Sequence, residues 1–394
     1  MFPVVIKSIN QAFKVLKSFG AGEWEGDYRP AAQRALKEIL ETRMSNAVDE
    51  HIEQMRAQDI ADRRNGSFSR HLLTELGDLE LSVPRSRTFS AKAIVKKFAR
   101  RVFPVERLIM LAFIFGLSTR KVGQALLPIL GERISPTTVS RVAQQLDSAV
   151  WAYHQRKLFD HYQVLILDGL VIKRKTAIGT QRRTILVALG IRLDGKKEII
   201  DFRQVFSEKQ VHWEGFLNDL YVRGLKGENL KLIIGDGGKG LLAALPLVYG
   251  QVPFQRCWAH KVRNVLNYVR RVDQKEVKKD LHSISHARNL RLAQKAAQKF
   301  RERWERAYPK AVHCLKTDID DLLTFLQVKT SLPHSALRTT NAIERRFREV
   351  RRRTRPMGVF SNHTSVERII FSVFSYENLK ENTATLFPIL TQNN

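Results

Sequence analysis

The chain has 394 residues and carries 67 Lys and Arg against 39 Asp and Glu, a formal net charge of +28. Its hydrophobic content of 43% is high enough for a folded protein, which excludes a disordered polycation. A folded chain with so large a positive charge is expected to bind a polyanion, most commonly nucleic acid. The length predicts about two or three domains.

Membrane and secretory functions are not favoured. No apolar stretch approaches the ~20 residues that span a bilayer, and the start "MFPVVIKSINQAF" lacks the features of a signal peptide. The two cysteines, Cys257 and Cys314, cannot form a disulfide framework. We therefore expect a cytoplasmic protein without a membrane partner.

Residues 1–103 are predicted to form a helical region with one small β-hairpin, used for DNA binding or dimerisation. Helical periodicity is concentrated in "RPAAQRALKEILETRMSNAVDEHIEQMRA". In "RRNGSFSRHLLTELGDLELSVPRSR" two alternating segments meet at Gly77-Asp78 and end at Pro84, which predicts the hairpin.

Residues 104–150 are predicted to contain a helix-turn-helix. Ser118 can cap one helix, Gly131 breaks the chain, and Ser135-Pro136 can begin a second helix. A plain helical hairpin with a polar surface fits the spacing equally well, but the basic context favours DNA. The candidate DNA-binding residues here are Arg120, Lys121, Thr137, Thr138, Arg141 and Gln144.

An α/β domain with a mixed sheet is predicted from residue 160 onwards. Three apolar, β-branched runs are followed by a helix, the strand "LKLIIGDGG", another helix and the strand "VPFQRCWAH". Residues 160–260 are assigned to the first part of the core, residues 261–333 to a helical insertion, and residues 334–394 to the final helices.

Two aspartates occur in or beside these strands. Asp168 lies inside "VLILDGL", where a carboxylate is costly unless it is paired, hydrogen-bonded or bound to a metal. Asp236 follows a strand, at the edge where open α/β sheets bind ligands. Since Asp-Gly is also a common turn dipeptide, either residue taken alone is better explained as a turn residue.

The glycines around Asp236 fit G-x-G-x-x-G, the dinucleotide fingerprint. That motif needs an acidic residue ~20 positions further on, where this chain has Gln255, Arg256 and Cys257. We therefore reject dinucleotide binding and expect the glycines to allow a close approach of backbone or DNA beside Asp236.

The segment "AIERRFREVRRRTR" contains two glutamates that are not equivalent. On a helix, Glu344 lies at the border of the apolar face, whereas Glu349 points to the far side and is expected to be solvated. Glu344 could simply pair with Arg348 four residues on. Together with Asp168 and Asp236, however, it would complete the carboxylate set of a two-metal phosphoryl-transfer site. Arginines of the segment would then hold DNA phosphates: Arg345, Arg348, Arg351 and Arg352.

The sequence resembles the bacterial insertion-sequence transposases of the IS256 group, which are related to the eukaryotic Mutator transposases. The matching segments lie in the family's order and include "RRNGSFSRHLLTELGDLELSVPRSR", "LSTRKVGQALL", "LDGL", "IIGDGGKG", "QRCWAHKVRNVLNY" and "TTNAIERRFREVRRRTRPMGVFSN". The resemblance implies a ribonuclease H-like catalytic domain with a helical insertion and a D-D-E triad of Asp168, Asp236 and Glu344. It also implies two Mg²⁺ ions (Mn²⁺ being possible), cleavage and strand transfer at terminal inverted repeats, a circular intermediate, a homodimer on paired ends, and association with the nucleoid.

The family's C-x₂-H signature falls on Cys257 and His260. These two residues could be half of a zinc site with His282 and His286, but structural zinc sites usually have tighter, Cys-richer spacing. We expect Cys257 to pack locally and His260 to orient the site or contact DNA. Trp258 is expected in the core, although it could stack on a base.

Two other functions remain open at this point. A ribonuclease H-like nuclease or resolvase would use the same metals for hydrolysis alone. A non-catalytic DNA-binding regulator derived from a transposase would not need the carboxylates, and all three are present.

Overall fold

The computed structural model describes residues 29–93, 103–130, 134–176, 179–357, 360 and 362–381. The described residues up to Ala143 belong to one compact unit, and those from Gln144 onwards belong to a second. In the part of the chain that the structure describes, no helix has both the length and the apolar character needed to cross a membrane.

The first unit is built on a long helix and a hairpin. Helix α1 (Arg29–Ala57) coincides with the predicted periodic stretch and packs Met44 and Val48 against the hairpin. The hairpin strands are β1 (Arg64–Thr74) and β2 (Gly77–Ser86), which pair antiparallel. Strand β2 continues past Pro84, so the predicted end is two residues early. A two-stranded sheet tolerates this proline because each strand has a free edge.

Three further helices follow in this region: α2 (Phe103–Ile114), α3 (Thr119–Leu130) and α4 (Pro136–Gln144). The predicted caps are present, since the Ser118 hydroxyl accepts from the Lys121 amide at 3.4 Å and the Ser135 hydroxyl accepts from the Thr138 amide at 3.1 Å. Val139 is buried on α4. The predicted break at Gly131 lies outside the described residues.

The second unit contains a mixed sheet of five strands: β3 (Tyr162–Thr176), β4 (Gly179–Arg192), β5 (Lys197–Val205), β6 (Leu232–Gly235) and β7 (Phe254–Arg256). Their order in the sheet is β5-β4-β3-β6-β7. Strands β3 to β5 form the predicted antiparallel meander, and β6 and β7 run parallel to β3.

Eleven helices of the described chain accompany this sheet: α5 (Leu146–Gln155), α6 (Gln210–Val222), α7 (Lys239–Tyr249), α8 (Trp258–Leu266), α9 (Gln274–Ser285), α10 (Leu290–Trp304), α11 (Pro309–Thr317), α12 (Ile319–Leu323), α13 (His334–Leu337), α14 (Asn341–Thr354) and α15 (His363–Lys380). The predicted strand "VPFQRCWAH" is therefore wrong in its second half. Strand β7 ends at Arg256, and Trp258 begins α8. Trp258 is in the core, with its indole N–H bound to the Leu322 carbonyl at 2.7 Å.

The two faces of the sheet are covered by different helices. Leu165 and Leu167 on β3 belong to the apolar core that includes Phe216 of α6 and Leu241 of α7. Because side chains alternate along a strand, Ile166 and Asp168 point to the opposite face. Helices α14 and α15 contact β3 and β5, respectively. A carboxylate on β3 is thus directed towards the side of the sheet that carries α14.

Helix α15 is fixed to the sheet by polar contacts as well as by apolar burial. The Asn378 side chain accepts from the Ile199 amide at 2.7 Å and donates to the Ile199 carbonyl at 2.9 Å. Arg368, on the same helix, forms an ion pair with Asp147. Since buried polar groups are costly when unpaired, these contacts also specify where the helix docks.

Candidate active site

Strand pairing brings Asp168 and Asp236 to the same level of the sheet. Ile166 on β3 is the register partner of Ile234 on β6, and each aspartate lies two residues further along its strand direction. Since these neighbouring strands are parallel, both aspartates follow the Ile166–Ile234 pair in the direction of the carboxyl ends of the strands. Residues separated widely in the sequence are thus placed side by side.

Helices α8 and α14 bring two more side chains to Asp168. The ligand atoms of Asp168, His260 and Glu344 all lie within 4.8 Å of one another. His260 Nε2 is 3.5 Å from Glu344 Oε1, and the Thr340 hydroxyl donates to the same oxygen at 3.4 Å. Among the described residues this is the only group of three or more His, Cys, Asp or Glu side chains this close. Asp236 stands outside the group.

Asp168 and His260 in this cluster both have strongly shifted pKa values. Burial raises the pKa of Asp168 to about 7; the Gly169 amide and the His260 charge oppose the shift, and the Asp236 and Glu344 charges add to it. Interaction with the ionised Cys257 sulfur raises the pKa of His260 to about 9, against the effect of burial, and the charges of Asp168 and Glu344 assist. A cationic imidazole therefore offsets part of the carboxylate charge near neutral pH.

Asp236 is held by a glycine turn beside the cluster. Its Oδ1 accepts from the Gly238 amide at 2.8 Å, and Gly237 adopts φ +80°, a conformation that suits glycine. A Cβ on Gly237 would collide with the Arg256 guanidinium, which donates to the Gly237 carbonyl at 3.0 Å. Arg256 is itself paired with Asp318 at 2.8 Å. The expected close approach is thus made by a protein side chain at Gly237 and by backbone at Gly240, where a Cβ would collide with the Glu208 carbonyl oxygen.

Glu208 is a fourth carboxylate near the site, and the sequence analysis did not identify it. A Cβ on Gly169 would lie 2.5 Å from Glu208 Oε1, so the carboxylate occupies the space that this glycine leaves open. Burial, followed by the Asp236 charge, raises the pKa of Glu208.

A sequence signal for Glu208 existed. It follows β5, which runs parallel to β3 because β4 is antiparallel to both. The carboxyl ends of parallel strands meet at one edge, where α/β sheets bind ligands.

Cys257 packs locally, as expected. It is buried, and its sulfur lies 3.3 Å from both the backbone nitrogen and the hydroxyl oxygen of Thr340. Burial opposes ionisation, but the interactions with His260 and Thr340 outweigh it and lower the pKa of the Cys257 thiol. The contact with His260 is not a well-formed hydrogen bond, because His260 Nδ1 is buried without a partner at hydrogen-bond geometry among the described residues.

The geometry does not support the zinc alternative. Within the described residues, Cys257 and His260 do not gather with His282 and His286 at ligand distance. Those two histidines instead stack on each other, with ring centroids 4.8 Å apart and planes 13° apart.

The two glutamates of α14 have different partners, but both are half-buried, so the predicted contrast in burial is absent. Glu344 contacts His260 and not Arg348, because α8 lies against this part of α14 and Arg348 is exposed. Glu349 is not freely solvated, since it is half-buried and pairs with Arg353 at 2.6 Å. Four arginines proposed for DNA are exposed on this helix: Arg345, Arg348, Arg351 and Arg352.

The polar residues proposed for DNA in the first region are also at the surface. Arg120, Lys121, Thr137, Arg141 and Gln144 are exposed. Thr138 is half-buried, because its amide and hydroxyl are engaged by Ser135.

Comparisons with known proteins give a consistent result. The family model described as "Transposase, Mutator family" matches residues 11–382. The chain is 29% identical over 357 residues to the transposase for insertion sequence element IS905 from Lactococcus lactis, covering 90% of each protein.

Two further relatives extend the range of organisms. The chain is 30% identical to the transposase for IS256 in transposon Tn4001 from Staphylococcus aureus, covering 87% of this chain and 88% of the relative. It is 32% identical to the transposase for IS406 from Burkholderia multivorans, covering 81% and 82%, respectively. With a family model that matches almost its whole length, the chain belongs to the Mutator family of transposases.

Proposed function

We propose that the protein is an insertion-sequence DNA transposase that cleaves element ends and joins them to another phosphodiester by metal-dependent phosphoryl transfer. The observation that carries the proposal is the convergence of Asp168 and Glu344, from a strand and a distant helix, with Asp236 just past the end of the neighbouring strand β6. The mixed sheet with a helical segment before α14 is compatible with a ribonuclease H-like domain, which we propose as its fold type.

The donor set fits hard divalent cations. Asp168 is half-buried, and its Oδ1 accepts from the amide of Gly169 at 2.8 Å. Such a carboxylate needs a counter-charge, and carboxylate oxygens are the ligands that Mg²⁺ and Mn²⁺ prefer. We propose that Asp168, Asp236 and Glu344 hold two ions, with Glu208 on the Asp236 side. Ions bound there would activate the attacking oxygen and stabilise the leaving oxygen.

The remaining site residues have positioning roles in this proposal. Protonated His260 contacts Glu344 and balances charge between the carboxylates, while Arg256 holds the turn that carries Asp236. The exposed arginines of α14 would grip phosphates beside the reacting strand. Helices α3 and α4, with their polar outer faces, would read or grip the element ends as a helix-turn-helix.

The test is a pair of glutamate variants on the same helix. Excision or circle formation would be measured in cells from a plasmid carrying the element's ends, with Glu344→Gln compared with Glu349→Gln. Glu349 is a matched control because it lies five residues further along α14 and its ion-pair partners among the described residues are Arg352 and Arg353 of the same helix. We expect Glu344→Gln to abolish product while DNA binding persists, and Glu349→Gln to retain product. Equal product from both variants would refute the assignment of Glu344.

A further inference from the structure

A cavity of about 820 Å³ lies beside the candidate active site, among α8, α9, α13 and α14. We call it the basic cavity, because six cationic residues line it: Lys197, Arg263, Lys278, Arg338, Arg345 and Arg346. Among its described lining residues, Glu381 is the single carboxylate. The proposed chemistry uses only Arg345 of this set.

The basic cavity shares two helices with the active site. On α8, His260 faces the carboxylates and Arg263 lines the cavity; on α14, Glu344 faces the carboxylates and the next residue, Arg345, lines the cavity. Consecutive helix residues differ by about 1.5 Å in rise and point to adjacent sides of the helix, and residues three apart are neighbours on its surface. The carboxylates and the cavity therefore lie at the same level along both helices.

The positive charge of the cavity is not neutralised from within. Arg346 forms an ion pair with the one carboxylate that lines the cavity, Glu381, at 2.6 Å. Arg263, Lys278 and Arg345 make no ion pair with any described residue. Burial lowers the pKa of Arg338, whose guanidinium donates to the Ser285 carbonyl at 3.1 Å and has no ion pair with a described residue.

Arg263, Lys278 and Arg345 are exposed side chains, so their charges are available to a ligand in the cavity. Uncompensated cations around a concave surface attract an anionic ligand.

Two stacked rings indicate what kind of anion fits. His282 and His286 line the cavity with parallel rings, and burial, followed by the charges of His286, Lys278 and Arg338, lowers the pKa of His282. A neutral flat ring beside cations suits a nucleotide, which presents a base face and a phosphate together. A free phosphate would make no use of the rings.

From these observations we infer that the basic cavity binds a short single-stranded segment of DNA next to the reacting phosphodiester, with phosphates on Arg263 and Lys278 and a base against His282. The inference rests on the proposed function, since it assumes that DNA occupies the carboxylate site. It assigns the "HSISH" segment to strand binding and not to zinc.

The test compares two double variants of the full chain that remove equal charge. Arg263→Ala/Lys278→Ala changes the cavity, while Arg291→Ala/Lys295→Ala on α10 removes two exposed cations outside it. Binding of a fluorescein-labelled dT20 strand would be followed by anisotropy across a salt series. We expect the cavity variant to weaken binding about tenfold and to lower the salt slope by up to about 1.4, at roughly 0.7 for each lost phosphate contact. The control should change binding less than about threefold.

A second measurement locates the strand. The same 20-mer with 5-iododeoxyuridine would be photo-crosslinked and the modified peptides identified by mass spectrometry. Crosslinks to the α9 peptide that contains His282 and His286 support the inference. Equal weakening by the two double variants, or crosslinks confined to other helices, would overturn it while leaving the transposase proposal intact. Failure of the unaltered chain to bind any DNA would overturn both.

Discussion

Replacing Asp168 with asparagine should stabilise the metal-free protein at high pH, even though it removes a proposed metal ligand. Burial raises the pKa of this carboxyl from 3.8 to about 7. A carboxyl with a raised pKa favours folding when protonated, so the wild type loses stability as pH rises from about 4 through about 7. At 1.36 kcal/mol for each pKa unit, ionisation costs the folded state roughly 4 kcal/mol by pH 8.

The assay is thermal unfolding in EDTA at pH 5 and pH 8. Relative to the wild type, the unfolding temperature of Asp168→Asn should rise little at pH 5 and by several degrees at pH 8. Asp194→Asn is the control. The Lys196 amide lowers the pKa of exposed Asp194, so this carboxylate stabilises the fold when it is ionised, and its replacement should not raise stability at pH 8. Adding Mg²⁺ at pH 8 should stabilise the wild type but not Asp168→Asn. An identical pH dependence for Asp168→Asn and the wild type would refute the reasoning.

Three further predictions concern the same unit. Asp318→Ala leaves buried Lys261 without its carboxylate and should lower the free energy of unfolding by about 3–5 kcal/mol, measured by denaturant titration. Gly215→Ala in α6 should raise the free energy of unfolding by about 0.5–1 kcal/mol, because alanine favours a helix more than glycine does and the new methyl group would contact one atom, Arg203 Nη1, at 3.9 Å. A lower free energy of unfolding would contradict this. Glu208→Gln should weaken Mn²⁺ binding measured by calorimetry and lower strand-cleavage rates about tenfold or more, whereas unchanged metal affinity would remove Glu208 from the site.

Local pattern was sufficient to predict most of the elements of the second unit. Alternating β-branched runs mark β3 to β5, and the helical periodicities of α6 and α7 are equally local. The error at "VPFQRCWAH" has a physical cause. An apolar segment with an aromatic residue fits a strand or a buried helix start, and here Trp258 is buried as the first residue of α8.

The candidate site could be predicted only in part. Asp168 and Asp236 stand out because carboxylates beside apolar strands are costly, and Glu344 stands out at the border of an amphipathic helix. The contact between Glu344 and His260, and the carboxylate of Glu208 against Gly169, depend on which segments meet in space. Periodicity within one segment carries no information on that choice.

The sequence by itself determined the family, most of the helices and strands, and the carboxylates of the proposed triad, because hydrophobic spacing and turn residues act over a few positions. Only the tertiary structure decided the strand order that aligns Asp168 with Asp236 and the docking of α8 and α14 that joins His260 to Glu344. The same docking creates the basic cavity from segments as distant as Lys197 and Arg346. These features follow from the packing of elements far apart in the chain, where burial and charge pairing are satisfied together.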